Sequence, residues 1–134
     1  MIETLSVLFV DDEPAIVKVL GRLVRQVRPK WRCVVVTSGE EALAAVAKES
    51  FDVIVSDIRM APMDGAELLA RLTSLAPTMG RIALSGHADR ETYEGVLRVA
   101  HAFLSKPSTR DEILATIERI AAIPAEERVV AGER

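Results

Sequence analysis

Two kinds of apolar run alternate along this chain. Short blocks dominated by Val, Ile, Leu and Phe occur at Ser6–Val10, Arg32–Val36, Val53–Ser56, Arg81–Leu84 and Ala102–Leu104. They lack polar alternation and sit between turn signals, the pattern of strands covered on both faces in a parallel sheet. Between them the apolar positions recur with a helical period. Ile16, Leu20, Leu23, Val24 and Val27 form one stripe behind Pro14, whose missing N–H costs nothing in a first helical turn. A second helix is expected over about Gly39–Lys48, entered through Thr37 and Ser38. A third starts near Asp64 and carries Leu68, Leu69, Leu72 and Leu75. A fourth, about Asp89–Ala100, places Tyr93, Val96, Leu97 and Ala100 on one face. The fifth, about Thr109–Ala122, does the same with Ile113, Leu114, Ile117, Ile120 and Ala121.

Five strands, each followed by a helix, require right-handed crossovers. The expected fold is therefore α/β, a doubly wound five-stranded parallel sheet with five flanking helices. Such sheets place their sites outside the carboxyl ends of the strands. The stretch from Ile123 to Arg134 is charged and has no stripe, so it reads as a frayed tail or the start of a linker. The domain is accordingly expected over residues 1–122, with 123–134 outside it.

Composition narrows the function classes. The 134 residues suit one domain, and 49% apolar against 28% charged residues argues against general disorder. A net charge of −3 is a poor match to a nucleic-acid binder, which must neutralise phosphates. The single cysteine, Cys33, excludes an intrachain disulfide and a Cys-rich metal site. It reads as a buried small hydrophobe, and Trp31 as a cover for the edge before the second strand. The first residues lack a basic, then apolar, leader, and no apolar run is long enough for a membrane span. A cytoplasmic domain without a membrane or nucleic-acid partner is expected.

The strand ends carry the chemistry. The first is followed by Asp11-Asp12-Glu13, the third by Asp57, the fourth by Ser85-Gly86, the fifth by Lys106-Pro107. Each has an ordinary reading: a helix cap, a turn, a solvated lysine. Together they bring three carboxylates, a hydroxyl and one ammonium to one sheet edge. Converging carboxylates repel, and a hard divalent cation with oxygen ligands, Mg²⁺, would relieve that. A carboxylate beside Mg²⁺ and an ammonium can attack a phosphoryl group, because both cations neutralise its oxygens. Ser85 could donate a hydrogen bond to that group.

The stretches VLFVDDEP (Val7–Pro14), VIVSDIRMAPMDG (Val53–Gly65), ALSGHAD (Ala83–Asp89) and FLSKP (Phe103–Pro107) resemble the receiver domains of two-component response regulators. The resemblance covers residues from about 7 to 107, extended to about 122 by the last helix. It implies a flavodoxin-like strand order 2-1-3-4-5 and a phosphorylation switch rather than an enzyme with a separate substrate. Asp57 would be the phosphoacceptor, and Asp12 and Asp57 the side-chain Mg²⁺ ligands. Asp11 would position a metal-bound water, and the Arg59 carbonyl would be a further ligand. Lys106 would pair with the phosphoryl group, Ser85 would be the hydroxyl switch residue and Phe103 the aromatic one. A cis peptide before Pro107 is implied too.

The family's usual Met-Pro-x-Met-Asp-Gly reads Met60-Ala61-Pro62-Met63-Asp64-Gly65 here, with the proline one place later. Arg59 and His87 fall where the family varies residues that tune phosphoryl lifetime, and each reads equally well as a solvated rim residue. His101 reads as a turn residue and Tyr93 as packing. Gly95 lowers helix propensity inside the fourth helix. Implied partners are a sensor histidine kinase or phosphotransfer protein, and a downstream protein or fused output domain. A homodimer through the fourth helix, fifth strand and fifth helix is also implied. Three other readings compete. A P-loop hydrolase needs G-x-x-x-x-G-K-[ST], which the chain lacks. An aspartate-nucleophile, Mg²⁺-dependent phosphatase would want an acid where Arg59 stands. An unphosphorylated interaction module of the same shape stays open.

Overall fold

The structure is a computed structural model that describes residues 2–86 and 90–129, with residue 90 described by its backbone alone. His87 and the expected helix start at Asp89 lie outside the described residues. The elements follow in the order β1 (Ser6–Val10), α1 (Pro14–Val27), β2 (Arg32–Val36), α2 (Gly39–Lys48), β3 (Val53–Asp57), α3 (Gly65–Leu75), β4 (Gly80–Ser85), α4 (Arg90–Leu97), β5 (Ala102–Ser105) and α5 (Arg110–Ala121). The sheet is parallel in the order β2-β1-β3-β4-β5, as the resemblance implied.

Alternation along the strands explains the two cores. Successive side chains point to opposite faces. Leu8, Val10, Ile54 and Ala83 therefore face α2, α3 and α4, against Ala42, Leu68, Leu69, Leu72, Val96 and Ala100. Val7, Phe9, Val53, Val55, Ile82 and Leu84 face α1 and α5, against Val17, Val24, Ile113, Ile117 and Ile120. Leu68, Leu69 and Leu72 are wholly buried; burying each such side chain contributes roughly 1.5–3 kcal/mol. Each helix needs one apolar stripe because each covers one face of the sheet.

Helix starts follow local chemistry. Ser38 accepts from the Glu41 N–H at 3.1 Å and Asp64 from the Glu67 N–H at 2.8 Å. Thr109 and Glu112 form a reciprocal capping box at 3.1 and 3.0 Å. The exception is α1. Pro14 opens it, but Glu13 at the cap position makes no side-chain capping bond. The acids after β1 are therefore not spent on a cap, and Asp11 instead accepts from the Glu13 N–H at 3.0 Å.

Several expectations shift. β3 and β4 each run one residue further at their carboxyl ends, so Asp57 and Ser85 lie inside the ladder. α4 ends at Leu97, where the Val99 and Ala100 N–H groups both return to the Val96 carbonyl at 2.9 Å and tighten the chain into a turn. Trp31 is buried and donates from Nε1 to the Ile2 carbonyl at 2.9 Å. Cys33 is only half-buried because β2 is an edge strand. Within the stretch read as a frayed tail or the start of a linker, Ala125–Val129 form a 3₁₀ turn, tied by Arg128 to the carbonyls of Thr78 (2.6 Å), Ile123 (2.5 Å) and Ala121 (3.2 Å). Among the described residues no helix is long and apolar enough to cross a membrane.

Candidate functional site

The backbone ladder continues up to the chemical groups at the sheet edge. The Asp11 N–H donates to the Val36 carbonyl at 3.3 Å, the Ile58 N–H to Leu84 at 3.2 Å, and the Lys106 N–H to Ser85 at 2.8 Å. Asp57 lies opposite Leu84 and Ser85 opposite Ser105. Four strand ends thus hold Asp11, Asp57, Ser85 and Lys106 on rigid elements, which favours a fixed geometry over a loop-borne one.

Lys106 Nζ stands 3.1 Å from Asp11 Oδ2 and 3.2 Å from Asp57 Oδ1. Asp11 and Asp57 are 3% and 7% exposed, while Asp12 faces solvent. Each of the three carboxylates offers an oxygen within 4.8 Å of the others. Two shielded carboxylates therefore share one ammonium, and a third stands beside them. Burial raises the Asp57 carboxyl above the usual range, and the Asp11 charge adds to that; Lys106 and the Ile58 N–H oppose it without winning. Burial alone would lower the Lys106 ammonium, but its bonds and charge contacts to Asp11 and Asp57 outweigh that and raise it. The lysine stays charged while the acids stay undercompensated.

That imbalance fits a cation. Three carboxylate oxygens with an open solvent side are a hard donor set, suited to Mg²⁺ completed by water. Beside them lies an open cavity of about 680 Å³ lined by Asp12, Arg59, Met60, Asp64, Thr92 and Gly95 among others. Of the three clustered acids Asp12 lines it, so the cavity opens on the exposed side of the cluster.

The remaining expected site residues fall around this centre. Ser85 is buried at the end of β4, one residue beyond the partner of Asp57. Arg59 is exposed on the cavity rim. Phe103 is half-buried, and the Tyr93 ring meets it edge-on, centroids 5.1 Å apart and planes at 71°. The Lys106–Pro107 peptide is cis, and so is Ala61–Pro62 in the loop where the proline is displaced.

One contributor had only an indirect signal. A Cβ placed on Gly65 would stand 2.1 Å from the Asp57 carbonyl oxygen and 2.8 Å from Ile58 Cα. The start of α3 thus presses against the Asp57 main chain, and the Gly65 N–H donates to the Ile58 carbonyl at 2.8 Å. The Asp64-Gly65 pair at a helix start was the visible trace. Arg81 gave no trace at all: it only opens the fourth apolar block, yet it is fully buried.

The family model for response regulator receiver domains matches residues 7–118. The chain is similar to the transcriptional regulatory protein GlrR of Escherichia coli (strain K12), at 34% identity over 116 residues, which are 83% of this chain and 25% of that protein. It is also similar to the DNA-binding transcriptional regulator NtrC of Salmonella typhimurium, at 35% identity over 111 residues, 82% of this chain and 23% of that one. The chain therefore spans about a quarter of the length of these curated relatives. Among solved structures, a CheY-like receiver domain protein from Methanospirillum hungatei JF-1 superimposes with a TM-score of 0.82 at 26% identity, covering 93% of this chain and 96% of that one. The signal receiver domain of an HD domain-containing protein from Pseudomonas fluorescens Pf-5 gives 0.84 at 25% identity, covering 96% and 94%.

Proposed function

The chain belongs to the response regulator receiver family, and from that premise we propose that its strand-end pocket is an Mg²⁺-dependent phosphoryl acceptor with Asp57 as nucleophile. The supporting observation is the charge arrangement: two shielded carboxylates sharing one ammonium, beside an exposed third. Asp11, Asp12, Asp57 and the Arg59 carbonyl would hold the ion, which when bound neutralises phosphoryl oxygens during transfer. An Asp57 oxygen attacks the phosphorus of a phosphohistidine. The new O–P bond forms as the P–N bond breaks, and the imidazole nitrogen leaves with the electron pair and takes up a proton. Lys106 neutralises charge on the transferred group, and Ser85 donates a hydrogen bond to it. Movement of Ser85 vacates space that Phe103 turns into, changing the face of α4, β5 and α5.

The added group brings roughly −1.5 to −2 charge, and the size of the response depends on how differently it binds two pre-existing states. The protein is then a switch that acts only on itself. Its donor is a sensor histidine kinase or phosphotransfer protein, and the altered face is read by a downstream protein or by an output domain outside residues 1–122. Pairing of two copies through α4, β5 and α5 belongs to this proposal.

The test is incubation with Mg²⁺ and a small phosphodonor, followed by intact-mass measurement. A hydroxylamine-sensitive phosphoryl adduct is expected, absent in Asp57→Asn and without Mg²⁺. No adduct in the unaltered protein would replace this reading with that of an unphosphorylated interaction module. An adduct that persists in Asp57→Asn would move the nucleophile elsewhere.

A further inference from the structure

At the opposite end of β4 from Ser85 lies a second polar cluster. Arg81 is wholly buried, and among the described residues its guanidinium meets only main-chain carbonyls. Nε donates to Val99 at 2.8 Å, Nη1 to Met79 at 3.1 Å and Pro77 at 3.4 Å, and Nη2 to Arg128 at 3.4 Å. Among the described residues no carboxylate pairs with it, and burial pushes its pKa down to about 10. An arginine left charged and buried without an acid is costly unless its donors are satisfied. Here they are satisfied by carbonyls of the stretch before β4, the turn after α4 and the segment beyond α5, which Arg128 side-chain bonds to Thr78, Ala121 and Ile123 also hold.

His101 completes the cluster. Its Nδ1 accepts from the Arg81 N–H at 2.9 Å, and its own N–H donates to the Arg81 carbonyl at 2.7 Å. Its Nε2 lies 2.7 Å from the Arg128 carbonyl oxygen, which can only accept, so Nε2 carries the proton. The turn between α4 and β5 is thereby tied to Arg81 at both Val99 and His101. Arg81 and His101 both grip the carbonyl of Arg128, beyond α5. α4 runs from the acidic pocket, where Thr92 and Gly95 line the cavity, towards this turn.

We propose that Arg81 and His101 form a latch for residues 124–129, and that a rearrangement of α4 begun at the acidic pocket reaches that segment through the latch. The turn cannot shift without stretching the bonds at Val99 or His101, and both residues that take up the shift hold Arg128. The second half of the proposal rests on the phosphoacceptor reading; the first half stands without it.

Amide hydrogen exchange on the full 134-residue chain tests both. His101→Ala should speed exchange at the Glu127 and Arg128 amides by roughly five- to thirtyfold, the effect of one or two hydrogen bonds, while β1 and β3 amides keep their protection. Arg81→Met should do the same. If that variant fails to fold, His101→Ala alone decides. Unchanged exchange at Glu127 and Arg128 in His101→Ala overturns the latch.

In the unaltered chain, Mg²⁺ with beryllofluoride should change exchange at those two amides by about threefold or more, and His101→Ala should abolish the response. If amide signals at Asp57 and Ile58 show the mimic bound while Glu127 and Arg128 are unmoved, the coupling is overturned. If Asp57 and Ile58 show no binding, the phosphoacceptor reading falls and takes the coupling with it, and the variants still judge the latch.

Discussion

Two glycines near the acidic pocket should respond in opposite directions to the same added methyl group. At Gly65 a Cβ would stand 2.1 Å from the Asp57 carbonyl oxygen, 2.8 Å from Ile58 Cα and 3.0 Å from the Asp57 carbonyl carbon. All three are backbone atoms of the strand end that carries the proposed nucleophile, so no side chain can rotate away. Reaching the 3.4 Å of ordinary contact requires an opening of about 1.3 Å. That opening breaks the 2.8 Å bond from the Gly65 N–H to the Ile58 carbonyl, worth about 1 kcal/mol, and adds overpacking of about 1–3 kcal/mol. Better helix propensity offsets at most about 1 kcal/mol. Gly65→Ala should therefore lose roughly 1–3 kcal/mol in urea denaturation at an unchanged m-value. It should also weaken Mg²⁺ binding by titration, because the Asp57 main chain moves. Gly95→Ala is the control. Nothing lies within 4 Å of its Cβ position, so it should be neutral or gain up to about 1 kcal/mol. A Gly65→Ala protein within about 0.5 kcal/mol of the unaltered one, or a Gly95→Ala protein equally damaged, would refute the packing argument.

Metal-free Asp57→Asn should melt above the unaltered protein, measured by thermal unfolding in chelator. Burial raises the Asp57 carboxyl in the folded state, so the folded protein holds that proton to higher pH than the unfolded chain. Raising pH through that range removes stability from the unaltered protein but not from the variant, so their gap should widen with pH. Glu118 should behave oppositely. Burial alone would raise its carboxyl, but the Ile2 N–H at 2.8 Å and Arg28 at 2.9 Å outweigh that and hold it low. Its contribution is present above the unfolded value of about 4.3 and is lost as pH falls through the folded one. Glu118→Gln should cost about 1 kcal/mol at neutral pH and converge with the unaltered protein in acid titrations of stability. Thr109→Ala removes the hydroxyl that accepts from the Glu112 N–H, keeps the main-chain N–H that donates to the Glu112 carboxylate, and should cost about 1 kcal/mol by denaturation.

The parts of the fold legible in sequence are those held by side chains. Leu68, Leu69 and Leu72, or Ile113, Ile117 and Ile120, announce their helices because burial of a stripe is what forms them. The parts that were not legible are held by backbone. Strand ends run on to Asp57 and Ser85 because the ladder continues past the last apolar residue, and a hydrogen bond to Leu84 or Lys106 leaves no mark in hydropathy. Residues 125–129 have no stripe because arginine and histidine side chains on main-chain carbonyls hold them. The burial of Arg81 goes unannounced for the same reason: its partners are carbonyls of Pro77, Met79, Val99 and Arg128, which any residue type would supply. The acidic centre was legible because its residues are of rare types for buried positions. Its crowding at Gly65 was legible only as a helix start.

The charge count at that centre constrains how the protein responds to what binds it. Asp11, Asp12 and Asp57 against Lys106 leave an excess of two negative charges, two of the three acids being shielded from water. The fold tolerates this because strand ladders on both sides fix the groups, not because the groups attract. Any cation that binds the folded pocket and not the open chain must therefore stabilise the fold, by an amount set by its concentration over its dissociation constant. At a hundredfold excess that is about 2.7 kcal/mol, more than the loss predicted from most single changes here. Mg²⁺ should then raise the melting temperature of the unaltered protein steeply. In Asp57→Asn the raise should be small, because that variant has already surrendered the repulsion the ion relieves. The order of stability between the two proteins should thus reverse between chelator and saturating Mg²⁺. A pocket that stabilised both equally would not be using Asp57 as a ligand, and the proposed acceptor chemistry would lose its footing.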